Sequence, residues 1–327
     1  RKEAARSSEI EGTRATIIDV IKSEAQIETH FPQDVERIIH YIHAMEYGLK
    51  RLKTFPLSLR FIREIHKVLI GGTIDAPGKT PGEFRTSQNW IGGGSPNTAK
   101  FVPPTYVEMR RCLDDFEKFL YARDEYPPLI KAAMAHAQFE TIHPFLDGNG
   151  RTGRLLTTFY LCKLGILEQP VLYLSEYFLN NRKTYYESLN TYHQVDADVS
   201  GWLDFFLDGV AIIATEAIEI SKKIHVLRQK NTIKIQSLGR RTKTSMTVLE
   251  NLYRLPIINV RKVEEWTGLS RPQANELVKK LIELGILEQR DKDIEYGREF
   301  WYKKYLDLFV SKEEIRKSDE PAELQSR

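Results

Sequence analysis

"HPFLDGNGRTGR", residues 143–154, stands between two stretches of helical periodicity and holds nothing a helix core needs. Gly148 and Gly150 bracket Asn149, Asp147 comes just before, and Arg151 and Arg154 follow three positions apart. A glycine-containing loop lets the backbone take positive φ and lets a ligand come close. A helix starting near Arg151 offers unpaired N–H groups and the positive end of its dipole, which together receive anions. Arg151 and Arg154 share a helix face and can grip two further anionic groups. The local physics points to a polyphosphate. Asp147 would repel it unless magnesium intervenes, an ion often held by one carboxylate plus phosphate oxygens. His143, at the end of the preceding helix, can take a proton from an incoming hydroxyl as a neutral imidazole. Singly, each residue has a plainer reading: a helix-end histidine, a C-cap turn, two solvated surface arginines. The whole string at fixed spacing outweighs those readings.

The surrounding chain suits a mainly helical protein. Residues 14–28, 34–53 and 57–70 carry helical periodicity, with Ile17, Ile18, Ile21 and Ala25 near one face of the first and Phe61, Ile65, Val68 and Leu69 in period on the third. From Gly71 to Pro104, Gly and Pro break the pattern, and "NWIGG" and "AKFVPP" are expected as short strands around a turn at "GGSPNT". Helices are expected again at 106–121, 129–142, 151–164, 175–193 and 200–228. The polar, basic segment up to residue 244 reads as a linker. Residues 245–312 then have helix–turn–helix rhythm, with Gly268 for the turn, Ser270 as cap and Pro272 in the first turn of the next helix. "GILEQRD" and "REFWYKK" could pair as two strands of a wing.

The 327 residues suffice for two or three domains, and 41% hydrophobic with 28% charged residues is ordinary for a globular chain. No apolar run reaches the roughly 18 residues of a membrane span, and no signal segment opens the sequence. Cys112 and Cys162 are the only cysteines, so neither a disulfide framework nor a cysteine zinc site is expected, which fits a cytoplasmic setting. A net charge of +3 does not by itself imply nucleic acid.

At 143–154 the chain resembles the Fic family, whose motif His-x-Phe-x-Asp/Glu-Gly-Asn-Gly-Arg-x-x-Arg is matched by His143, Phe145, Asp147, Gly148, Asn149, Gly150, Arg151 and Arg154. The resemblance implies an enzyme that transfers AMP from ATP to a Ser, Thr or Tyr hydroxyl of a protein, itself included. His143 would be the general base and Asp147 the magnesium ligand. Gly148 to Gly150 would hold the phosphates, with Asn149 on the α-phosphate. Arg151 and Arg154 would take the β- and γ-phosphates, with Thr152 and Gly153 in the same turn, and Phe145 would be a buried anchor. A phosphorylating branch departs at the second glycine and lacks the last arginine. Gly150 and Arg154 are both present here, which favours AMP transfer over that branch and, less firmly, over phosphocholine transfer.

The resemblance continues outside the motif. "PGEFRTSQNWIGG" with "FVPP" looks like the family's flap, a hairpin that holds the target backbone extended, with Ile91, Gly92 and Gly93 over the nucleotide. An ordinary surface hairpin is the alternative. "RKTYYESL" resembles the adenine-side helix, with Tyr185 and Tyr186 against the base, although helical tyrosines are more often core. His193 falls where some relatives place an asparagine. "SSEIEG" fits an inhibitory motif, Ser/Thr-x-x-x-Glu-Gly/Asn, through Ser7, Glu11 and Gly12; Glu11 would pair with Arg154 and occupy the γ-phosphate site. Ser8 to Glu11 also reads as a capping box, though this leaves a glycine one step inside the helix at a cost of about 1 kcal/mol.

The expected fold class is thus mainly α: a Fic helical-bundle core with a β-hairpin flap, followed by a small winged helix-turn-helix domain. The expected division is an N-terminal helical region at 1–70, a catalytic core at 71–228, a linker at 229–244, the winged helix at 245–312 and a charged tail at 313–327. The recognition helix, about Arg271 to Leu284, carries Gln273, Asn275, Lys279 and Lys280, which could meet DNA. Glu276 and Glu283 on it, and Asp291, Asp293 and Glu295 at the wing tip, oppose phosphate and leave protein docking or dimerisation open. The partners expected are ATP and a target protein, with a homodimer and DNA as weaker expectations and no membrane. Two rivals remain: removal of AMP from the same target, and a DNA-binding regulator that only senses ATP.

Overall fold

The structure, a computed structural model, describes residues 1–27, 34–73, 75–122, 126–194, 196–291, 293–294 and 296–317. Residue 28, Glu295 and the tail beyond 317, all invoked above, lie outside the described residues. The helices in chain order are α1 (Lys2–Ile10), α2 (Ile17–Glu24), α3 (Asp34–Arg51), α4 (Leu59–Ile70), α5 (Tyr106–Tyr121), α6 (Pro128–Ile142) and α7 (Asn149–Lys163). They continue as α8 (Leu174–Asn180), α9 (Arg182–Tyr192), α10 (Val199–Gln236), α11 (Thr242–Leu252), α12 (Val260–Thr267), α13 (Arg271–Glu283), α14 (Lys303–Leu306) and α15 (Lys312–Lys317). Strands β1 (Ile257–Ile258), β2 (Glu288–Gln289) and β3 (Phe300–Trp301) form one antiparallel sheet of order β1-β3-β2. None of the described helices is long and apolar enough to cross a membrane.

The contacts divide the chain into one unit of residues 1–13 and 36–217 and a second of residues 14–35 and 218–327. This differs from the expected division in two places. The stretch 1–70 is not one region, because α2 belongs with the C-terminal part of the chain. The linker expected at 229–244 is helical through Gln236 and helical again from Thr242. Its polarity hid the reason. Leu227, Asn231 and Ile235 recur at i, i+4 and i+8 on one side of α10, and Asn231 is buried because its amide donates to the Tyr302 hydroxyl at 2.7 Å.

In the first unit α6 and α7 are the central layer, and both are buried on almost every face. Pro128 opens α6, where a missing N–H costs nothing. Thr105 and Glu108 form a capping box on α5, and Ser58 caps α4. The expected helix at 175–193 is two helices that break at Asn181. The expected flap strands reduce to a single bridge, Ile91 to Phe101, with a 3-10 turn at Pro96–Thr98 between them.

In the second unit α11, α12 and α13 close around Val248, Leu249, Val263, Leu277 and Leu281, with Ile258 and Phe300 of the sheet in the same core. Gly268 ends α12 at φ 68°, and the Ser270 N–H donates to Gln273 Oε1 at 3.2 Å at the start of α13. Beside the pairing of β2 with β3 stands a third strand, β1, which pairs Ile257 with Trp301 and Ile258 with Phe300. Two residues are too few for an alternation pattern to reveal it.

Candidate active site

The motif turns the chain from α6 into α7. His143 follows α6 in the left-handed region, φ 46°, its N–H still bonded to the Phe139 carbonyl at 3.0 Å. Phe145 is fully buried and stacks flat on His66, ring centroids 3.7 Å apart. The two side chains clamp the loop differently. Gly82 N–H donates to His66 Nδ1 at 2.9 Å, so His66 Nε2 carries the proton and donates to the Asp147 carbonyl at 2.9 Å. Burial is the main cause that pushes His66 down to about 4. Gly148 sits at φ 72°, and a Cβ there would lie 2.7 Å from Ile70 Cδ1, so only glycine fits the entry to α7.

Helix α7 begins at Asn149, two residues earlier than periodicity suggested. Gly148 N–H donates to Asp147 Oδ1 at 2.6 Å, and Thr152 N–H donates to the Gly148 carbonyl at 2.9 Å. Among the described residues the N–H groups of Asn149, Gly150 and Arg151 are left as donors at the helix start. The Asn149 carboxamide is engaged inside the loop: its Oδ1 accepts from Phe145 N–H at 2.9 Å and its Nδ2 donates to the Phe145 carbonyl at 2.8 Å. The side chain expected on a phosphate therefore braces the loop instead, and what it offers a ligand is its backbone N–H.

A cavity of about 290 Å³ lies at this helix start, near the lower end of small-molecule sites. Of the residues singled out from sequence, His143, Asp147, Gly148, Asn149, Gly150, Arg154, Glu11, Ile91, Gly92, Tyr185 and Tyr186 line it. Gly93, Arg151, Thr152, Gly153, Ser7 and Gly12 do not. Gly93 serves the flap turn, where a Cβ would come within 2.3 Å of the Thr98 carbonyl. Thr152 is buried and its hydroxyl donates back to the Gly148 carbonyl at 2.8 Å. Arg151 is buried too and donates to Asp75 Oδ2 at 3.3 Å, while its Nε and Nη1 meet no acceptor among the described residues. Tyr185 shows only an edge to the cavity: it stacks on Phe178 at 4.6 Å, and its hydroxyl is 2.9 Å from His136 Nε2. Tyr186 is more exposed.

Arg154 is buried and is held by α1 through Nε and Nη2. Its Nε donates to the Ser7 hydroxyl at 2.7 Å, and its Nη2 donates to the Ser7 carbonyl at 3.0 Å and to Glu11 Oε1 at 2.7 Å. Arg154 thus caps the last turn of α1, where carbonyls lack partners. Burial tends to raise the Glu11 carboxyl, but Arg154 and Arg151 outweigh it and hold Glu11 below the usual carboxylate range. Two details differ from expectation. Glu11 is the C-cap of α1 and not part of an N-terminal capping box. Gly12 lies outside the helix at φ 95° with nothing near its Cβ position, so it is needed for chain direction and not for space. Room for Glu11 comes from Gly150, where a Cβ would lie 2.3 Å from Glu11 Oε1.

The flap is fixed to the motif by Arg85 and Asn89, whose roles no local sequence pattern marks. Arg85, 1% exposed, donates to the carbonyls of His143 at 3.0 Å, Ser87 at 3.1 Å and Pro104 at 2.5 Å. Asn89 donates to the carbonyls of His143 at 3.3 Å and Phe145 at 3.0 Å. Phe101 packs on His193 at 4.1 Å, which makes His193 a wall of the cavity. Glu140, which no sequence motif marks, also lines the cavity. Groups of three or more His, Cys, Asp or Glu arranged to hold a metal by themselves do not occur among the described residues.

Fold and site together define a class: a helical domain whose central helix opens, under a loop and a flap, onto a cavity flanked by the N–H groups of the helix start, an imidazole and a guanidinium. Residues 56–161 match the Fic/DOC family and residues 1–50 match the Fic/DOC family N-terminal region. The chain is a Fic-domain protein related to known Fic adenylyltransferases. A protein adenylyltransferase Fic of Aedes aegypti is 33% identical over 154 residues, 46% of this chain and 27% of the relative. One of Drosophila grimshawi is 28% identical over 205 residues, 61% of this chain and 39% of the relative. The chain therefore spans between about a quarter and two fifths of the length of these curated relatives. In fold it is similar to a crystallised Fic family protein from Desulfovibrio desulfuricans G20, with TM-score 0.58 and 19% identity over 92% of this chain and 86% of that one. It is also similar to a Fic domain-containing signaling protein from Bacteroides thetaiotaomicron VPI-5482, with TM-score 0.53 and 20% identity over 67% of this chain and 85% of that one.

Proposed function

We propose that this chain is a protein adenylyltransferase that moves AMP from magnesium-bound ATP to a Ser, Thr or Tyr hydroxyl of a protein, itself included, and that Glu11 restrains it through Arg154. One observation carries the reading: the donors at the start of α7, the His143 imidazole and the Arg154 guanidinium all border one cavity. Burial keeps His143 neutral, down to about 4, and its Nδ1 lies 3.3 Å from the Glu140 carbonyl. With Nδ1–H donated there, Nε2 keeps its lone pair and takes the proton of the attacking hydroxyl. The hydroxyl oxygen attacks the α-phosphorus in line, and the bond to the bridging oxygen breaks to release pyrophosphate. The N–H groups of α7 and Arg154 hold the charge that develops on the leaving group.

Asp147 fits a magnesium ion. It lines the cavity and is 33% exposed; Gly148 takes one oxygen, and the other accepts no hydrogen bond among the described residues. One carboxylate oxygen plus phosphate oxygens is a donor set magnesium accepts, and the ion would neutralise triphosphate charge there. In the restrained state Glu11 holds the guanidinium that the terminal phosphate would use, a competition of one anion with another. The helices α11–α13 with the three-stranded sheet support reading the second unit as a winged helix. A second reading, removal of AMP from a modified target, is favoured by Glu11 Oε2, which accepts no bond among the described residues and could position water.

The test is α-labelled ATP with magnesium, followed by mass spectrometry for added AMP. Label should appear on protein, should rise in Glu11→Gly, and should fall at least about 100-fold in His143→Ala. Undiminished labelling in His143→Ala overturns the proposal. Release of AMP from a modified protein by the parent, with no forward labelling by Glu11→Gly, favours the second reading.

A further inference from the structure

A base that burial holds near 4 is too weak for a reaction at neutral pH, since a general base works best with a pKa near the working pH. The structure places a candidate remedy beside it. Glu140 lies one turn before His143 on α6 and is 7% exposed. Its Oε2 is 4.0 Å from His143 Nδ1, and its Oε1 is buried without a hydrogen-bond partner among the described residues. Gly153 leaves the carboxyl its present place; a Cβ there would stand 2.6 Å from Glu140 Oε1 and displace it. An unpartnered buried carboxyl costs free energy, yet this one sits in the wall of the reaction cavity.

We infer that Glu140 is a positioning residue for the proposed transfer: its backbone carbonyl holds the His143 Nδ1–H, and its carboxylate, 4.0 Å away, compensates the imidazolium formed when Nε2 takes the hydroxyl proton. This deepens the reading of His143 as the base and rests on it. The proton stays on His143, and Glu140 neither gains nor loses one in the step. The groups that face Glu140 decide when it can act. They are Glu11 from α1, Arg154 from α7, His143 at the end of α6, and Tyr185 and Tyr186 from α9. Burial raises the Glu140 carboxyl to about 7, Arg154 opposes the rise, and the nearby Glu11 adds to it. Two carboxylates thus share the field of one guanidinium. While Glu11 is docked, much of Glu140 is protonated at neutral pH and lends His143 no charge. When Glu11 withdraws, His143 loses the direct support of that carboxylate, and Glu140, which then ionises more readily, takes its place. On this account α1 restrains the leaving group directly and decides through Glu140 which carboxylate supports the base.

The experiment is steady-state transfer in Glu11→Gly, with and without Glu140→Gln, from pH 5.5 to 8.5. Expected is a fall in kcat of about 10- to 100-fold in Glu140→Gln with KM for ATP within about twofold, since the carboxylate acts on the base and not on the nucleotide. The ascending limb of kcat set by Glu140 should disappear, and Glu140→Asp should restore part of the rate. An unchanged kcat and pH profile in a folded Glu140→Gln, checked by its melting temperature and ATP binding, overturns the inference. So does a loss matched by an equal rise in KM. Transfer that survives His143→Ala in the same background sinks the base reading itself, whereas inactive His143→Ala beside a fully active Glu140→Gln sinks only the role given to Glu140.

Discussion

The two ends of the cavity are closed by different physics. At the arginine end, the nine-residue helix α1 meets Arg154 with a hydroxyl, a carbonyl and a carboxylate. At the flap end, Arg85 and Asn89 meet only backbone carbonyls of the motif and the flap. A triphosphate can replace a carboxylate on a guanidinium, one anion for another. Nothing that enters the cavity can replace a carbonyl of the chain itself. The comparison teaches where control can sit: the arginine end is exchangeable and the flap end is scaffold. Variants should therefore separate, with flap-end changes read in stability and arginine-end changes read in activity.

The largest effect is expected from Arg85→Ala. It strands the carbonyls of His143, Pro104 and the exposed Ser87 in a part-buried setting, at up to about 1–3 kcal/mol each before relaxation. A net loss of about 4 kcal/mol should appear as a lower urea midpoint, with transfer by the surviving folded fraction reduced because His143 is no longer anchored. A midpoint within experimental error of the parent would show that the flap end is not scaffold.

Acid should attack the scaffold before it attacks the restraint. His66 falls from 6.5 unfolded to about 4 folded, so its contribution is complete above pH 6.5 and is lost as pH drops toward 4. The shift corresponds to about 3 kcal/mol. His136, lowered to about 3, and His143, lowered to about 4, act in the same direction. Glu11 is lowered, so its pairing with Arg154 is fully present above 4.5 and weakens only below it. Urea titrations between pH 7 and 4.5 should show a steep loss of stability in the parent, about 2.5 kcal/mol of which is missing in His66→Gln. Equal slopes in the two proteins would remove His66 from the scaffold.

Next in size is Glu11→Gly. A hydrogen bond to a charged group contributes about 1.5–3 kcal/mol, equivalent to roughly 10- to 150-fold in occupancy of the open state. Self-labelling should rise by about that factor while the urea midpoint moves little. A fall in stability like that of Arg85→Ala would merge the two ends and end the distinction.

How much of this was legible depends on sequence distance. The motif could be read because a loop and the first turn of one helix place His143 through Arg154 together without help from elsewhere. Ser7 and Glu11 could be read as a string, but the reason for Gly12 was misassigned: the helix runs into that string, not out of it. Arg85 lies 58 positions from His143, and His66 lies 81 from Asp147. Nothing local marks such pairs. A trace existed for His66, which occupies an apolar position of α4 between Ile62, Ile65 and Leu69, where an imidazole needs a partner. Glu140 left a similar trace, the one acid on a helix that is mostly apolar. The third strand and the length of α10 were hidden, the first by its two residues and the second by its polar surface.

The smallest effect tests whether α1 is held as one body. Glu3, eight residues before Glu11, is buried against α8 and α3, and accepts from the Ser175 N–H at 3.2 Å, from the Ser175 hydroxyl and from Tyr41 at 3.3 Å. Ser175 lies in the first turn of α8, so the carboxylate also meets the positive end of that helix. If α1 docks as a unit, Ser175→Ala loosens Glu11 without touching it. A loss of about 1 kcal/mol should raise self-labelling about fivefold. In the Glu11→Gly background the same substitution should change nothing, because the restraint it weakens is already gone. A fivefold rise in both backgrounds would mean that Ser175 acts on the reaction by another route. No rise in either would mean that Glu11 reaches Arg154 without the rest of α1.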